Sequence, residues 1–162
     1  MSVSETVDPL VTGEQTGSWL RALRRYFAVI LAGNLVWEFA HIPLYTMWWT
    51  GTWNEIVFAA VHCTGGDVLI ALSALTISLL IAGNDAWPRH RRNGVAALTI
   101  VFGIAYTTFS QWLNIVIRAA WAYSDLMPVI SLRGFDVGLS PLLQWIVVPL
   151  IGMWWANAPR SR

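Results

Sequence analysis

Glu38 and His41 are two proton-exchanging side chains that lie three residues apart within a long apolar run of the sequence. On a helix this spacing lets both side chains address one point, and a carboxyl group beside an imidazole forms a proton donor and acceptor pair. Asn34 and Tyr45 extend the set to positions i, i+4, i+7 and i+11. At about 100° per residue these positions span a stripe roughly 60° wide, so we expect the four side chains to share one helix face.

His62, Cys63 and Asp67 form a second reactive group around Gly65-Gly66, in the next apolar run. His62 and Asp67 are five positions apart, about 140° around an ideal helix. They face one site only if the glycine pair unwinds or bulges. The alternative is close helix packing through the glycines. Cys63 is interpreted as a small buried residue, because the sequence shows no base held against it.

A third polar stripe, Thr107, Gln111, Asn114 and Arg118, repeats the spacing of the first, and Gln144 lies in the last apolar run. Arg118 is expected to extend its charged head toward water, or to hold a lipid phosphate or a carboxylate bidentately. The predicted catalytic residues are Glu38, His41, His62 and Asp67. The predicted substrate-binding residues are Asn34, Tyr45, Gln111, Asn114, Arg118 and Gln144.

Composition places these side chains in a membrane protein. Of 162 residues, 56% are hydrophobic and 12% are charged, and the mean hydropathy is +0.55. A soluble domain carries about 25% charged residues. The net charge of +1 does not suggest nucleic-acid binding, and a single cysteine excludes an internal disulfide.

The apolar runs predict an all-α, four-helix transmembrane bundle with spans at about 26–47, 56–82, 95–117 and 141–155. One domain covers 19–158, between a disordered tail at 1–18 and a short tail at 159–162. Pro128, Gly134 and Gly138 argue against a continuous helix between spans three and four, where a short interfacial helix remains an option. Ser140 is the expected N-cap of span four.

The arginines predict the orientation, since cytoplasmic loops carry an excess of positive residues. Arg118 and Arg133 lie on one predicted side. The other eight of the ten basic residues fall on the opposite side, which places both termini in the cytoplasm and the chain in a bacterial-type inner membrane. These eight are Arg21, Arg24, Arg25, Arg89, Arg91, Arg92, Arg160 and Arg162.

Glu38 in span one and Asp67 in span two are expected at a similar depth in the membrane. At about 1.5 Å per residue, Glu38 lies about 18 Å from the cytoplasmic start of span one and Asp67 about 16 Å from the outer start of span two. Ionisable residues at mid-bilayer are costly and commonly functional. We therefore expect a polar pocket in the outer half of the bundle. Trp37, Trp112 and Trp145, each next to a polar residue, either line an apolar chamber there or face lipid.

The leading functional hypothesis is that this pocket binds a lipophilic small molecule. In the stronger form of the hypothesis, the protein also transforms this molecule by acid/base chemistry. Glu38 and His41, with Asp67 and His62 opposite, would transfer protons. The alternatives are a proton-coupled transporter, a metal- or haem-binding protein with haem between His41 and His62, or a structural subunit of a membrane complex. No compact metal-ligand motif is present, so no metal ligand is predicted. Expected partners are the lipid bilayer, a lipophilic small molecule, and a second copy or larger membrane complex.

Overall fold

The computed structural model describes residues 9–158, with side chains from Ser18 onward. Helix α1 (Pro9–His41) ends in a 3-10 turn (Ile42–Leu44), and the short helix α2 (Met47–Thr50) precedes α3 (Trp53–Ala82). Helix α4 (Arg92–Gln111) continues into a π-helical segment (Trp112–Ile117). Strands β1 (Val129–Leu132) and β2 (Phe135–Gly138) then lead into α5 (Leu139–Ala156).

Four helical segments are long and apolar enough to cross a membrane, as the sequence predicted. The candidate spans are Ser18–Leu44, Trp53–Ala82, Arg92–Ile117 and Leu139–Ala156. They form a bundle in which α1 packs against α3 and α5, and α4 packs against the same two helices. The side of the membrane that each terminus faces stays a prediction.

Contacts between loops define two ends of the bundle. At one end, Trp19 Nε1 donates to the Asp85 carbonyl at 3.1 Å, and Arg25 donates to the Ala158 carbonyl at 2.6 Å. We call this the arginine-rich end, after Arg21, Arg25, Arg89 and Arg92. At the opposite end, which we call the hairpin end after β1 and β2, the Ser124 N–H donates to the Leu44 carbonyl at 2.9 Å.

The outer surface of the bundle is apolar and its interior contains polar residues. Leu80 is 82% exposed and Phe58 70% exposed, whereas Asn34, Glu38 and Gln144 are buried beside an apolar core. A large exposed apolar surface indicates contact with a membrane or a partner. With the four candidate spans, this distribution supports contact with the lipid bilayer.

Several boundaries differ from the predicted ones. Helix α1 begins at Pro9, inside the segment predicted as a tail, since proline fits the first helical turn, where its missing N–H needs no partner. Residues 1–8 and 159–162 lie outside the described residues. Helix α3 begins earlier than predicted, because Thr52 and Glu55 form a capping box.

The connection between α4 and α5 is an antiparallel hairpin rather than the short interfacial helix that was considered. Leu132 pairs with Phe135 across the turn, and Arg133 and Gly134 have φ angles of 47° and 92°. Positive φ at both central residues is typical of a two-residue hairpin turn. The expected N-cap at Ser140 was also wrong: α5 begins at Leu139 with Gly138 as its N-cap.

Gly103 sets the distance between α4 and α5. A Cβ atom at this position would overlap the ring of Trp145. We expect Gly103→Ala to lower the free energy of unfolding by about 1–3 kcal/mol through overpacking, measured by thermal unfolding in a neutral detergent. Gly65→Ala is the matched control, because nothing lies within 4 Å of a Cβ there. Equal melting temperatures for the two variants would contradict the assigned contact.

Candidate functional site

Gln144 is the centre of a buried polar cluster that joins three helices. Its Nε2 atom lies 2.9 Å from Asp67 Oδ2 on α3, and on α1 it lies 3.0 Å from Asn34 Oδ1 and 3.2 Å from Glu38 Oε1. Asn34 and Gln144 are each 2% exposed and Glu38 is 7% exposed. The structure therefore brings four of the sequence-predicted site residues, counting Asp67, into direct contact.

His41 extends this cluster toward the hairpin end. Its Nε2 atom lies 3.2 Å from Glu38 Oε2, and its Nδ1 atom lies 3.1 Å from Ser140 Oγ. Ser140 also accepts a hydrogen bond from Trp37 Nε1 at 3.2 Å. With its proton on Nε2, His41 donates to Glu38 and accepts from Ser140. With its proton on Nδ1, His41 donates to Ser140, and Nε2 accepts from Glu38 only when Glu38 holds a proton.

The donors and acceptors around Gln144 do not match in number. A side-chain amide supplies two N–H donors, yet three oxygen acceptors lie within 3.2 Å of its nitrogen. The Asp67 and Glu38 carboxyl groups approach each other at this shared nitrogen, 2.9 Å and 3.2 Å from it. Two carboxylates cannot hydrogen-bond to each other unless one holds a proton. One additional proton would complete the set.

Tyr45 lies between the cluster and a cavity at the hairpin end. Its ring packs edge-on against the His41 imidazole, with centroids 5.3 Å apart. Tyr45 also lines a cavity of about 280 Å³ together with Thr46, Met47 and Trp121. Ligand cavities in proteins typically measure about 300–1,000 Å³, so this one is suited to water or a very small molecule. His41 and Tyr45 separate it from the carboxyl pair.

His62 is not part of the cluster. Helix α3 is an uninterrupted α-helix from Trp53 to Ala82, so the Gly65-Gly66 step neither unwinds nor bulges. His62 and Asp67 therefore keep the separation of about 140° of an ideal helix. The His62 ring is exposed and stacks on Phe58 at a centroid distance of 5.6 Å.

The polar residues of the third span have other partners. Gln111 Oε1 accepts from the Gly138 N–H at 2.7 Å and from the Tyr123 hydroxyl, and so anchors the hairpin. Asn114 Nδ2 donates to the Ser110 carbonyl on its own helix at 2.9 Å. Arg118 follows the π-helical segment and is exposed. These three residues stay predicted substrate contacts without a described link to the carboxyl pair.

Ser140 and Trp37 are the members of the cluster that the sequence did not assign to it. Ser140 was expected to be a helix cap, although its spacing of four from Gln144 places both on one face of α5. Trp37 was left open between a chamber wall and a lipid contact, and its indole N–H bonds to Ser140. Trp145 is buried against Gly103, whereas Trp112 is 38% exposed.

The described residues give little support to a metal or haem centre. Among the described side chains, which begin at Ser18, no three His, Cys, Asp or Glu group as metal ligands. Both ring nitrogens of His41 already have polar neighbours, and the exposed His62 does not face it. Comparisons with protein-family models, curated proteins and solved structures find no match.

Gln144→Met tests the hydrogen-bond centre of the cluster. Methionine nearly preserves the volume but leaves three buried oxygens without their shared donor. We expect the free energy of unfolding to fall by about 1–3 kcal/mol, measured as a lower melting temperature in detergent. Leu143→Met, at the neighbouring, 49% exposed position, is the control and should leave the melting temperature unchanged. A loss in both variants would assign the effect to methionine itself.

Tyr123 should make the hairpin sensitive to alkaline pH. Burial raises the pKa of Tyr123 above its ordinary value of 10.0, and the charge of Asp136 adds to the rise, while the Gly138 N–H opposes it. A raised pKa in the folded state contributes stability below the unfolded pKa that is lost as pH rises through the folded pKa. We expect the melting temperature to fall above pH 10, and to fall less in Tyr123→Phe. The exposed Tyr106→Phe control should retain the slope of the wild type.

Proposed function

We propose that this chain is a multi-pass membrane protein that holds a proton between Glu38 and Asp67 and exchanges it with the hairpin end, as a proton-coupled transporter does. The observation that carries the proposal is the contact of one amide nitrogen, Gln144 Nε2, with three oxygens of Asn34, Glu38 and Asp67. The side chains of this cluster hydrogen-bond to one another, which favours holding a proton over binding a substrate between them.

The first step is the binding of one proton by the carboxyl pair. Two ionised carboxylates in a buried site repel each other and lose their hydration. A proton on either Glu38 or Asp67 donates to the other carboxyl group, while the two Gln144 N–H groups bond to the remaining acceptors. The pair then carries one negative charge, and every donor has an acceptor. Release of the proton restores the repulsion, so occupancy by the proton changes how α1, α3 and α5 attract one another.

The second step is exchange with the hairpin end. Glu38 lies about 9 Å along α1 from the end of the span at Leu44, and about 30 Å from its start at Ser18. In the tautomer with its proton on Nδ1, His41 accepts the Glu38 proton on Nε2. The imidazolium then releases its Nδ1 proton toward Ser140 and water in the cavity lined by Tyr45. One proton leaves the pair, and His41 is left in its other tautomer.

The orientation of the chain determines which compartment exchanges protons with the carboxyl pair. If the arginine-rich end faces the cytoplasm of a bacterial-type inner membrane, as the positive residues predict, the hairpin end faces the outer compartment. The carboxyl pair would then take up protons from outside.

A second candidate function is acid/base chemistry on a small lipophilic molecule. The observation that favours it is the position of Tyr45, which lines the cavity of about 280 Å³ and contacts His41. A molecule bound there would contact Tyr45, whose ring packs against the His41 imidazole, and protons would pass between the molecule and Glu38 through His41. In this case the substrate contacts Tyr45 and Trp121, and the carboxyl pair acts through His41.

Infrared spectra of the purified protein test the shared proton. We expect the wild type to show a carboxylic-acid C=O band that shifts in D₂O, and both Glu38→Gln and Asp67→Asn to lose it, because either substitution leaves one carboxylate with amide donors. His62→Gln, on the same helix as Asp67, should retain the band. Absence of the band from the wild type, or its persistence in both carboxyl variants, would overturn the proposal.

Reconstituted vesicles separate the two candidate functions. With a pH-sensitive dye inside and an imposed membrane potential, the transporter predicts proton entry that Glu38→Gln abolishes and His62→Gln does not affect. The acid/base candidate instead predicts no proton entry, together with a small molecule in organic extracts of the purified wild type that Trp121→Ala loses.

A further inference from the structure

A second cavity, of about 510 Å³, lies at the arginine-rich end and is unrelated to the carboxyl pair. It lies between residues 18–25 of α1, the start of α4 and the end of α5. Four arginines line it: Arg21, Arg25, Arg89 and Arg92. None of the described residues around it is acidic. Such a concentration of positive charge attracts an anion.

Arg25 builds the wall of this cavity. It donates to the Trp155 carbonyl at 3.3 Å and the Ala158 carbonyl at 2.6 Å, and its guanidinium lies 5.7 Å from the centroid of the Trp155 ring. The Trp155 carbonyl also accepts from the Ala158 N–H at 3.0 Å, so Arg25 adds a side-chain cap to the last turn of α5. The contacts of Arg25 also tie the end of α5 to α1. Arg25 is thus occupied by the fold, although its charge remains at the cavity.

Arg21 and Arg92 are free to bind a ligand. Among the side chains that the structure describes, from Ser18 onward, none forms a hydrogen bond or ion pair with either guanidinium. Each guanidinium presents a planar fork of N–H donors that matches the oxygens of a phosphate group. The two belong to different helices, α1 and α4, so a phosphate between them would also bridge the bundle.

The position of the cavity indicates that the phosphate belongs to a lipid. Ser18, Arg92 and Ala156 are the ends of three candidate spans, and all three line the cavity. Lipid headgroups lie at this depth. Trp154 and Trp155, 73% and 40% exposed, lie at the same end, as expected for tryptophans at a membrane interface. Exposed apolar side chains farther along the helices, such as Ile151, offer a surface for acyl chains.

We propose that the arginine-rich cavity binds the phosphate of an anionic membrane lipid through Arg21 and Arg92. Basic pockets between transmembrane helices are known to hold anionic headgroups. The site is about 25 Å along α1 from Glu38, so it does not depend on the proposed proton exchange. A bound lipid would link α1, α4 and α5 at the arginine-rich end, which lies outside the hydrogen-bonded cluster around Gln144.

To test this, the full chain in an uncharged detergent is titrated with dioctanoyl phosphatidylglycerol, and binding is measured by tryptophan fluorescence. We expect saturable binding that weakens about fivefold for each arginine removed, and so about 25-fold in Arg21→Gln/Arg92→Gln. The control is Arg24→Gln/Arg133→Gln, which removes two exposed arginines that do not line the cavity and should retain the affinity of the wild type. Dioctanoyl phosphatidylcholine and inorganic phosphate are titrated in parallel.

Three outcomes would overturn the proposal. Equal losses in both double variants would indicate a general effect of net charge. Equal affinity for phosphatidylcholine would show that the anionic headgroup is not recognised. Binding of inorganic phosphate with the same arginine dependence and comparable affinity would identify a free anion as the occupant. If the double variant fails to retain the helix content of the wild type, the single variant Arg92→Gln, at an exposed position, decides with its expected fivefold loss.

Discussion

Glu38 is buried and Asp67 is half-buried in a bundle with an apolar exterior, and the rest of the structure follows from how these two carboxyl groups are satisfied. Unsatisfied polar groups in such an interior are expensive, so each must find a partner on another helix. Gln144 provides it with one amide nitrogen. Because its donors must reach α1 and α3 from α5, this contact limits the rotation of all three helices.

Close packing holds the helices in the positions that this hydrogen bonding needs. Trp145 follows Gln144 directly and lies against Gly103 of α4, so consecutive residues of α5 make the polar contact and the close apolar contact. Toward the arginine-rich end, Tyr26 packs against Gly152 and brings α1 near α5. Small residues allow such approaches between helices where lipid replaces water outside. Polar and apolar contacts therefore specify the same arrangement.

The two ends of the bundle differ in chemistry. At the hairpin end, Gln111 and Tyr123 hold the backbone of Gly138 at the start of α5, close to Ser140 and His41. At the arginine-rich end, the guanidinium groups of Arg21 and Arg92 face a cavity that has no acidic side chain among its described lining residues. Proton exchange at one end and lipid binding at the other would use separate residues. The α5 helix is common to both, since it carries Gln144 and ends at the Arg25 contact.

The sequence by itself determined the four apolar helices and the stripe of Asn34, Glu38 and His41, because hydropathy and helical spacing are local properties. It did not determine which face of α3 turns inward. The leading hypothesis placed His62 and Asp67 in one site, which required the glycine pair to unwind or bulge; the pair stays helical, and only Asp67 joins the polar cluster. The roles of Ser140 and Gln111 also depended on tertiary structure. Their partners lie on other segments, up to 103 positions away for Trp37 and Ser140, and no local pattern encodes which distant side chain completes a buried hydrogen bond.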